Sequence, residues 1–291
     1  MQQKHDRRIT YLGVAVMWFV GGSIYPFLSN VAEEVDPLNI ILIRSIGAAL
    51  ILFVAVLIID PGSFKKIKFD RTLIPIVVAS MMFSPICSGA LAWSSGRIPG
   101  ALSALMYSTL PAMATIYLIV QKKSPSKKSI VGVAIASIAV VFLVGAPEGA
   151  VQTVGVLAAL LSVFAWFAAT EIWIKYETGY PLILAIFLQV AIGALGTIIV
   201  HLFVNAPAVT AAQVFDPSMI FLTFALASQY WAYLGISRRV SATVLTSFAF
   251  VNPVVAGAIG YLAFNQQVST VQLIAGVLLL SGVFLVVRED L

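Results

Sequence analysis

Residues 101–144 read ALSALMYSTLPAMATIYLIVQKKSPSKKSIVGVAIASIAVVFLV, two apolar runs joined by a short polar loop with four lysines. Small residues crowd both runs, and Pro111 lies inside the first. A helix of roughly 20 apolar residues is long enough to cross a bilayer. The stretch therefore predicts two membrane-spanning helices and a short loop between them.

The same plan returns at residues 243–287, where an apolar run, a short polar link and a glycine-centred apolar run follow one another. The offsets that repeat are 142 positions for Pro111 and Pro253, 142 for Gly13 and Gly155, and 144 for Pro37 and Pro181. These offsets predict two related halves, residues 1–146 and 147–291.

The composition is that of an integral membrane protein. Hydrophobic residues make up 60% of the chain, charged residues 10%, and the mean hydropathy is +1.02. A soluble protein carries about 25% charged residues. The net charge of +5 lies in loops between apolar runs, so we predict a lipid bilayer and no nucleic acid as the partner of these basic residues.

Ten apolar runs are long enough to be spans, and the loops between them are too short for a soluble domain. The runs are Ile9–Leu28, Leu38–Ile59, Leu73–Trp93, Ile98–Val120, Ser129–Gly145, Thr153–Ile174, Pro181–Phe203, Pro217–Ile236, Ser241–Phe264 and Val268–Val287.

Alternate loops carry the basic residues, as the positive-inside rule requires of cytoplasmic loops. With a cytoplasmic N-terminus, 15 of the 17 Lys and Arg residues fall on the inner side. They are Lys4, Arg7, Arg8, Lys65, Lys66, Lys68, Arg71, Lys122, Lys123, Lys127, Lys128, Lys175, Arg238, Arg239 and Arg288. The outer loops carry Glu33, Glu34, Asp36, Glu148 and Asp216. Both termini are thus predicted to be cytoplasmic.

Five spans per half is an odd number, so the second half must enter the membrane in the opposite orientation. Inverted repeats are typical of transporters, which bind substrate near the midplane between the repeats. The predicted fold is all-α, with ten transmembrane helices as two inverted five-helix repeats around a central cavity.

Aromatic and polar side chains near mid-span are the candidates for this cavity. They are Trp18, Ser84, Tyr107, Trp166, Gln189, Phe248 and Asn252. Pro85, Pro111 and Pro253 predict helix kinks, because a proline leaves the carbonyl four residues back without its helical partner. The alternative for each aromatic residue is lipid-facing or core packing.

Arg44 lies about two turns inside span 2, where an arginine costs roughly 2.5 to 3.5 kcal/mol on insertion scales. It is predicted to receive a substrate carboxylate or to hold an outer gate, or else to clamp helices or snorkel outwards. Glu171 lies one turn before Lys175, which a helical ion pair at the interface explains. A role for Glu171 in proton coupling is the alternative.

The sequence lacks the residues of an enzyme site. It has no GxxxxGK[ST] phosphate loop, two histidines and one cysteine, so we predict no ATP hydrolysis, no metal site and no cofactor. Gly132 and Ala136 in span 5 allow close helix packing. Spans 5 and 10 are accordingly predicted to be structural or to form a homodimer.

The chain resembles EamA-type members of the drug/metabolite transporter superfamily. The features that carry the resemblance are the ten spans in two halves, Trp18 in span 1, Pro37 and Arg44 at span 2, and a mid-span proline followed by a glycine in the next span (Pro111 to Gly132 and Pro253 to Gly276). Within this superfamily the chain looks most like bacterial amino-acid exporters, including the YddG-like aromatic amino-acid exporters. Most EamA proteins carry an acidic residue in the loop after span 4 or 9, and this chain has none there.

The resemblance implies alternating access and export of small-molecule substrates, most of all neutral and aromatic amino acids, across the bacterial inner membrane. An exchanger of phosphorylated or nucleotide-linked sugars would need several basic residues in the cavity. A non-transporting membrane scaffold is the alternative from another class.

Overall fold

The computed structural model describes residues 10–122, 126–145, 153–176, 178–204, 206–237, 245, 248–267 and 270–287. Within these ranges the regular structure is helical throughout. The helices that follow the predicted spans are α1 Thr10–Val31, α2 Pro37–Ile59, α3 Arg71–Ser95, α4 Gly100–Val120, α5 Lys127–Gly145, α6 Thr153–Lys175, α7 Leu182–Phe203, α8 Pro217–Ile236, α9 Phe248–Phe264 and α10 Thr270–Val287.

Seven of these helices in the described part of the chain, α1 to α4 and α6 to α8, are long and apolar enough to cross a membrane. The other three contribute shorter apolar segments, Ile130–Ala139, Val251–Phe264 and Leu273–Gly282. The protein is therefore a multi-pass membrane protein. Residues of the predicted spans and charge map that lie outside the described ranges are 9, 241–244, 246–247, 268–269, Lys4, Arg7, Arg8, Lys123, Glu148, Arg238, Arg239 and Arg288.

Aspartate followed by proline begins two of the spans. The Asp36 carboxylate accepts a hydrogen bond from the Leu38 backbone N–H at 2.8 Å, and Pro37 is the first residue of α2. Asp216 accepts from the Met219 N–H at 3.0 Å before Pro217. A side-chain cap satisfies an N–H group that has no helical partner, and proline fits the first turn. Both pairs therefore fix where α2 and α8 enter the membrane.

Three helices depart from regular α-helix. A π-helical segment, Val16–Val20, interrupts α1, and another, Met82–Ser88, surrounds Pro85 in α3. A turn at residues 108–109 divides α4 just before Pro111, while Pro253 lies inside α9. These irregularities free backbone carbonyls and rotate the residues that follow.

The small-residue face of α5 packs inside the molecule. A Cβ atom on Gly282 of α10 would lie 2.7 Å from the Gly132 carbonyl oxygen and 2.8 Å from the Ala136 nitrogen. Only glycine permits this approach, which explains why α5 and α10 form one of the most extensive helix pairs. The homodimer predicted from these residues stays a prediction.

The extensive helix contacts among the described residues form a pattern. Three of the pairs are α2 with α7, α4 with α9, and α5 with α10. The others come as matched sets: α1–α9 with α4–α6, α2–α8 with α3–α7, and α1–α8 with α3–α6. Each helix can be exchanged with the one five places before or after it in chain order, α1 with α6 and so on. This exchange turns one member of each set into the other and leaves the first three pairs unchanged.

Candidate functional site

Side chains from both halves enclose a small polar cavity, which we call the Arg44 cavity. Its volume is about 50 Å³, room for about three or four water molecules. It is lined by Gly21, Ile24 and Tyr25 of α1, Arg44 of α2, Cys87, Ser88 and Leu91 of α3, Tyr107 of α4, Trp166 of α6, Leu226 and Gln229 of α8, and Phe248 of α9. Four predicted site residues, Arg44, Tyr107, Trp166 and Phe248, thus come together.

Arg44 is the most unusual member of this lining. It is only 3% exposed, and its Nε atom donates to the Leu222 carbonyl oxygen at 3.4 Å. No carboxylate of the described residues lies within ion-pair distance of it. A guanidinium has five N–H donors, and a buried charge is stable only when it is paired and hydrogen-bonded. The remaining donors of Arg44 are therefore available to an anionic or carbonyl-bearing ligand.

Tyr107 is held in place by a hydroxyl and a thiol. Its hydroxyl oxygen lies 2.6 Å from Ser162 Oγ of α6 and 3.3 Å from Cys87 Sγ, and the Cys87 and Ser162 atoms are 3.3 Å apart. This triangle joins α3, α4 and α6 and uses the hydroxyl of Tyr107 within the protein. The ring of Tyr107 remains as an aromatic wall of the cavity. Ser162 was missed by the sequence reasoning because a lone serine in an apolar run carries no signal of its own.

Trp166 is the centre of the aromatic wall. Its ring centroid lies 4.9 Å from that of Phe83, 4.9 Å from Tyr233 and 6.1 Å from Tyr107. Aromatic pairs at these separations are stabilising in edge-to-face geometry. The indole Nε1–H of Trp166 has no hydrogen-bond acceptor in the described structure. The wall is thus a cluster of rings in mutual contact around Trp166.

Gln229 faces the cavity from α8. Its side chain is 8% exposed, and no hydrogen bond to its Oε1 atom exists within the described ranges. A Cβ atom at position 21 would lie 2.8 Å from this oxygen, so the glycine of α1 makes room for the amide. The Gly21-Gly22 pair is the feature of the sequence that could have indicated this close approach.

Ser84 and Gln189 are not among the residues that line the Arg44 cavity. The Ser84 hydroxyl lies 3.1 Å from Ser45 Oγ and 3.1 Å from Thr197 Oγ1, so it joins α3 to α2 and α7. Gln189 is fully buried, and neither atom of its amide has a hydrogen-bond partner in the described part of the chain. Their predicted contact with substrate stays a prediction.

Asn252 and Trp18 meet at the π-helical segment of α1, beside the cavity. In the amide orientation that satisfies both its nitrogen and its oxygen, the Asn252 side-chain nitrogen donates to the carbonyl oxygens of Met17 at 3.0 Å and Trp18 at 3.1 Å. A π-helical segment leaves carbonyls without their usual partners. Asn252 therefore connects α9 to the irregular part of α1, next to Pro253.

Glu171 is half-buried near the end of α6, one turn before the exposed Lys175. It is not among the lining residues of the Arg44 cavity. Its predicted role in proton coupling stays a prediction.

A larger groove, about 520 Å³, lies between α2 and α8. Thr223 supplies the polar side chain in an otherwise apolar lining, and its hydroxyl already donates to the Met219 carbonyl oxygen at 2.9 Å. This groove therefore offers no unsatisfied polar group that could recognise a polar solute.

No family model matches the chain, and no curated protein matches it. Sixteen solved chains match its structure. One, described only as "Crystal structure of protein", has a TM-score of 0.66 and 14% sequence identity, and the match covers 97% of this chain and 98% of that chain. At this identity the match shows that the two chains share a fold.

Proposed function

We propose that this protein exports small metabolites, most of all neutral and aromatic amino acids, by alternating access. The single observation that carries the proposal is the buried guanidinium of Arg44, which has no carboxylate partner among the described residues and lines a cavity with Tyr107, Trp166 and Phe248. A carboxylate would bind the guanidinium, and an apolar or aromatic side chain would contact the rings. The resemblance to EamA-type exporters supports the direction and the substrate class.

The proposal includes ten spans in two inverted five-helix repeats, residues 1–146 and 147–291. The pattern of helix contacts, which a five-helix shift maps onto itself, supports this arrangement. Because five is odd, related halves in one membrane must have opposite orientations. Inverted halves around one site can exchange access between the two sides. The basic inner loops support cytoplasmic termini, and the resemblance supports the bacterial inner membrane.

The small volume of the Arg44 cavity has a consequence for the cycle. At about 50 Å³ it does not accommodate an aromatic amino acid without widening. The prolines and π-helical segments of α1, α3, α4 and α9 lie beside it and allow these helices to bend. Loading of substrate is therefore coupled to movement of the helices that carry the aromatic wall.

The test is flux through the purified protein in proteoliposomes. Vesicles preloaded with labelled phenylalanine or leucine are diluted into buffer with and without an imposed pH gradient. We expect saturable efflux that exceeds that of protein-free vesicles. Absence of flux for every amino acid, with the protein folded, would overturn the substrate class, whereas flux of sugar phosphates instead would favour the exchanger.

Energy coupling is read from the same vesicles. Efflux that is indifferent to the gradient indicates a facilitator. Efflux that needs the gradient makes Glu171→Gln the next variant, and retention of gradient dependence in that variant would exclude Glu171 as the proton carrier.

A further inference from the structure

The amide of Gln229 is an unmatched polar group in the wall of the Arg44 cavity. It is 8% exposed, and its oxygen has no hydrogen-bond partner in the described structure. Leaving a buried acceptor unsatisfied costs about 1 to 3 kcal/mol. A leucine or methionine at this position would fill similar space without that cost, so packing alone does not explain a glutamine here.

Two of the unmatched groups of the cavity, those of Arg44 and Gln229, have opposite hydrogen-bonding character. The guanidinium of Arg44 can only donate, and the amide oxygen of Gln229 can only accept. Rotation about the last side-chain bond of Gln229 exchanges its oxygen and its NH₂ group, so the oxygen can face the cavity. A ligand that satisfies both residues must carry an acceptor, best an anion, together with an N–H donor.

Two hydroxyl groups of the lining already have partners within the protein. Tyr107 is bonded to Ser162 at 2.6 Å, and the Ser88 hydroxyl donates to the Phe83 carbonyl oxygen at 3.0 Å. The amide oxygen of Gln229, by contrast, is a buried acceptor without a hydrogen-bond partner in the described structure, and it is the acceptor we assign to a ligand's donor.

We infer that Gln229 accepts a hydrogen bond from the ammonium group of the substrate while Arg44 binds its carboxylate. The cavity then recognises the zwitterionic head group of a free α-amino acid, and the aromatic wall contacts the side chain. The inference rests on the proposed function. It assigns to Gln229 the discrimination between amino acids and carboxylic acids of the same shape that lack the ammonium group, while Arg44 discriminates against amines that lack the carboxylate. A site whose buried polar groups are left unpaired by an analogue rejects that analogue strongly.

The test is competition against labelled phenylalanine efflux by three compounds with the same side chain. These are phenylalanine, 3-phenylpropionate, which lacks the ammonium group, and phenethylamine, which lacks the carboxylate. In the wild type we expect phenylalanine to compete at least about tenfold better than either analogue. In Gln229→Met we expect phenylalanine to compete about tenfold less well than in the wild type, and 3-phenylpropionate to compete as well as before.

The exposed Gln121 at the end of α4 gives the control variant, Gln121→Met, which should keep the wild-type preference. If Gln229→Met does not fold, Gln229→Asn is the second variant, because it keeps the amide but shortens its reach. It should also lower the competition by phenylalanine relative to that by 3-phenylpropionate. An unchanged ratio of phenylalanine to 3-phenylpropionate in a folded Gln229 variant would overturn the inference and leave the exporter proposal standing. Absence of flux for every amino acid in the folded wild type would instead overturn the proposed function.

Discussion

The two halves of the chain place similar helices around one cavity but supply different side chains to it. At the 142-residue offset, Ile24 of α1 matches Trp166 of α6, and Cys87 of α3 matches Gln229 of α8. All four line the Arg44 cavity. The first half adds the guanidinium of Arg44, and the second half supplies the unmatched amide. The two proposed halves thus carry an asymmetric set of chemical groups, as an asymmetric substrate requires.

The same comparison explains the irregular helix. α6 is a continuous α-helix, whereas its counterpart α1 contains the π-helical segment Val16–Val20. The partner of α1 is α9, which places Asn252 before Pro253, whereas the partner of α6 is α4, which has Leu110 before Pro111. The amide occurs on the helix that packs against the π-helical segment and donates to its carbonyls. A proline kink alone therefore does not require it.

The largest effect is expected when the charge of the first half is removed. Arg44→Met should reduce phenylalanine efflux by about 30-fold or more, since truncating one partner of a buried charged pair costs about 2 to 5 kcal/mol. Initial efflux rates in proteoliposomes give the measurement. Arg97→Met is the matched control, because Arg97 stacks on Trp93 at 3.5 Å outside the cavity. Equal losses in both variants would contradict the assignment of Arg44.

The next effect is expected when the second half is made like the first. Trp166→Ile places at position 166 the residue type of its counterpart, Ile24. We expect the ratio of phenylalanine to leucine transport to fall by about five- to tenfold, because aromatic contacts contribute about 0.5 to 1.5 kcal/mol beyond burial. Trp93→Ile serves as control. If the ratio stays at the wild-type value in a folded protein, Trp166 does not contact the substrate side chain.

A smaller effect, on stability, is expected at the irregular helix. Asn252→Leu removes the two side-chain hydrogen bonds to carbonyls of α1 and should lower the free energy of unfolding by about 2 kcal/mol. Leu110→Met, at the matching position, should change it by less than about 1.5 kcal/mol. Thermal unfolding in detergent measures both. Equal midpoints for the two variants would mean that the Asn252 hydrogen bonds contribute nothing.

The smallest effect is expected at Gln189. Because both atoms of its buried amide are unpartnered in the described structure, Gln189→Leu should leave the unfolding midpoint unchanged or raise the stability by about 1 kcal/mol. Its counterpart at the 144-residue offset, Ser45, is hydrogen-bonded and serves as comparison in Ser45→Ala, which should destabilise by a similar amount. A marked loss of stability in Gln189→Leu would show that the amide has a partner.

The sequence predicted helices, spans and several cavity residues, because apolar length and buried charge are strong local signals. It could not predict which face of each helix meets the cavity. In α3 the π-helical segment Met82–Ser88 changes the register, so Cys87 lines the cavity while Ser84 bonds to α2 and α7. Gln229 carries little signal in the sequence, because the neighbouring Tyr230 and Trp231 are residue types that are typical of the membrane interface. Only the packing of α8 against α1 places its amide in the cavity.

Cys87 is the single cysteine of the chain and lines the Arg44 cavity, so the native protein carries its own probe. The measurement is the rate at which a small methanethiosulfonate labels Cys87 in proteoliposomes, with and without saturating phenylalanine. The account predicts slow labelling that phenylalanine reduces several-fold in the wild type and does not change in Arg44→Met. If phenylalanine is transported but leaves the labelling of wild-type Cys87 unchanged, this cavity is not the place where substrate binds.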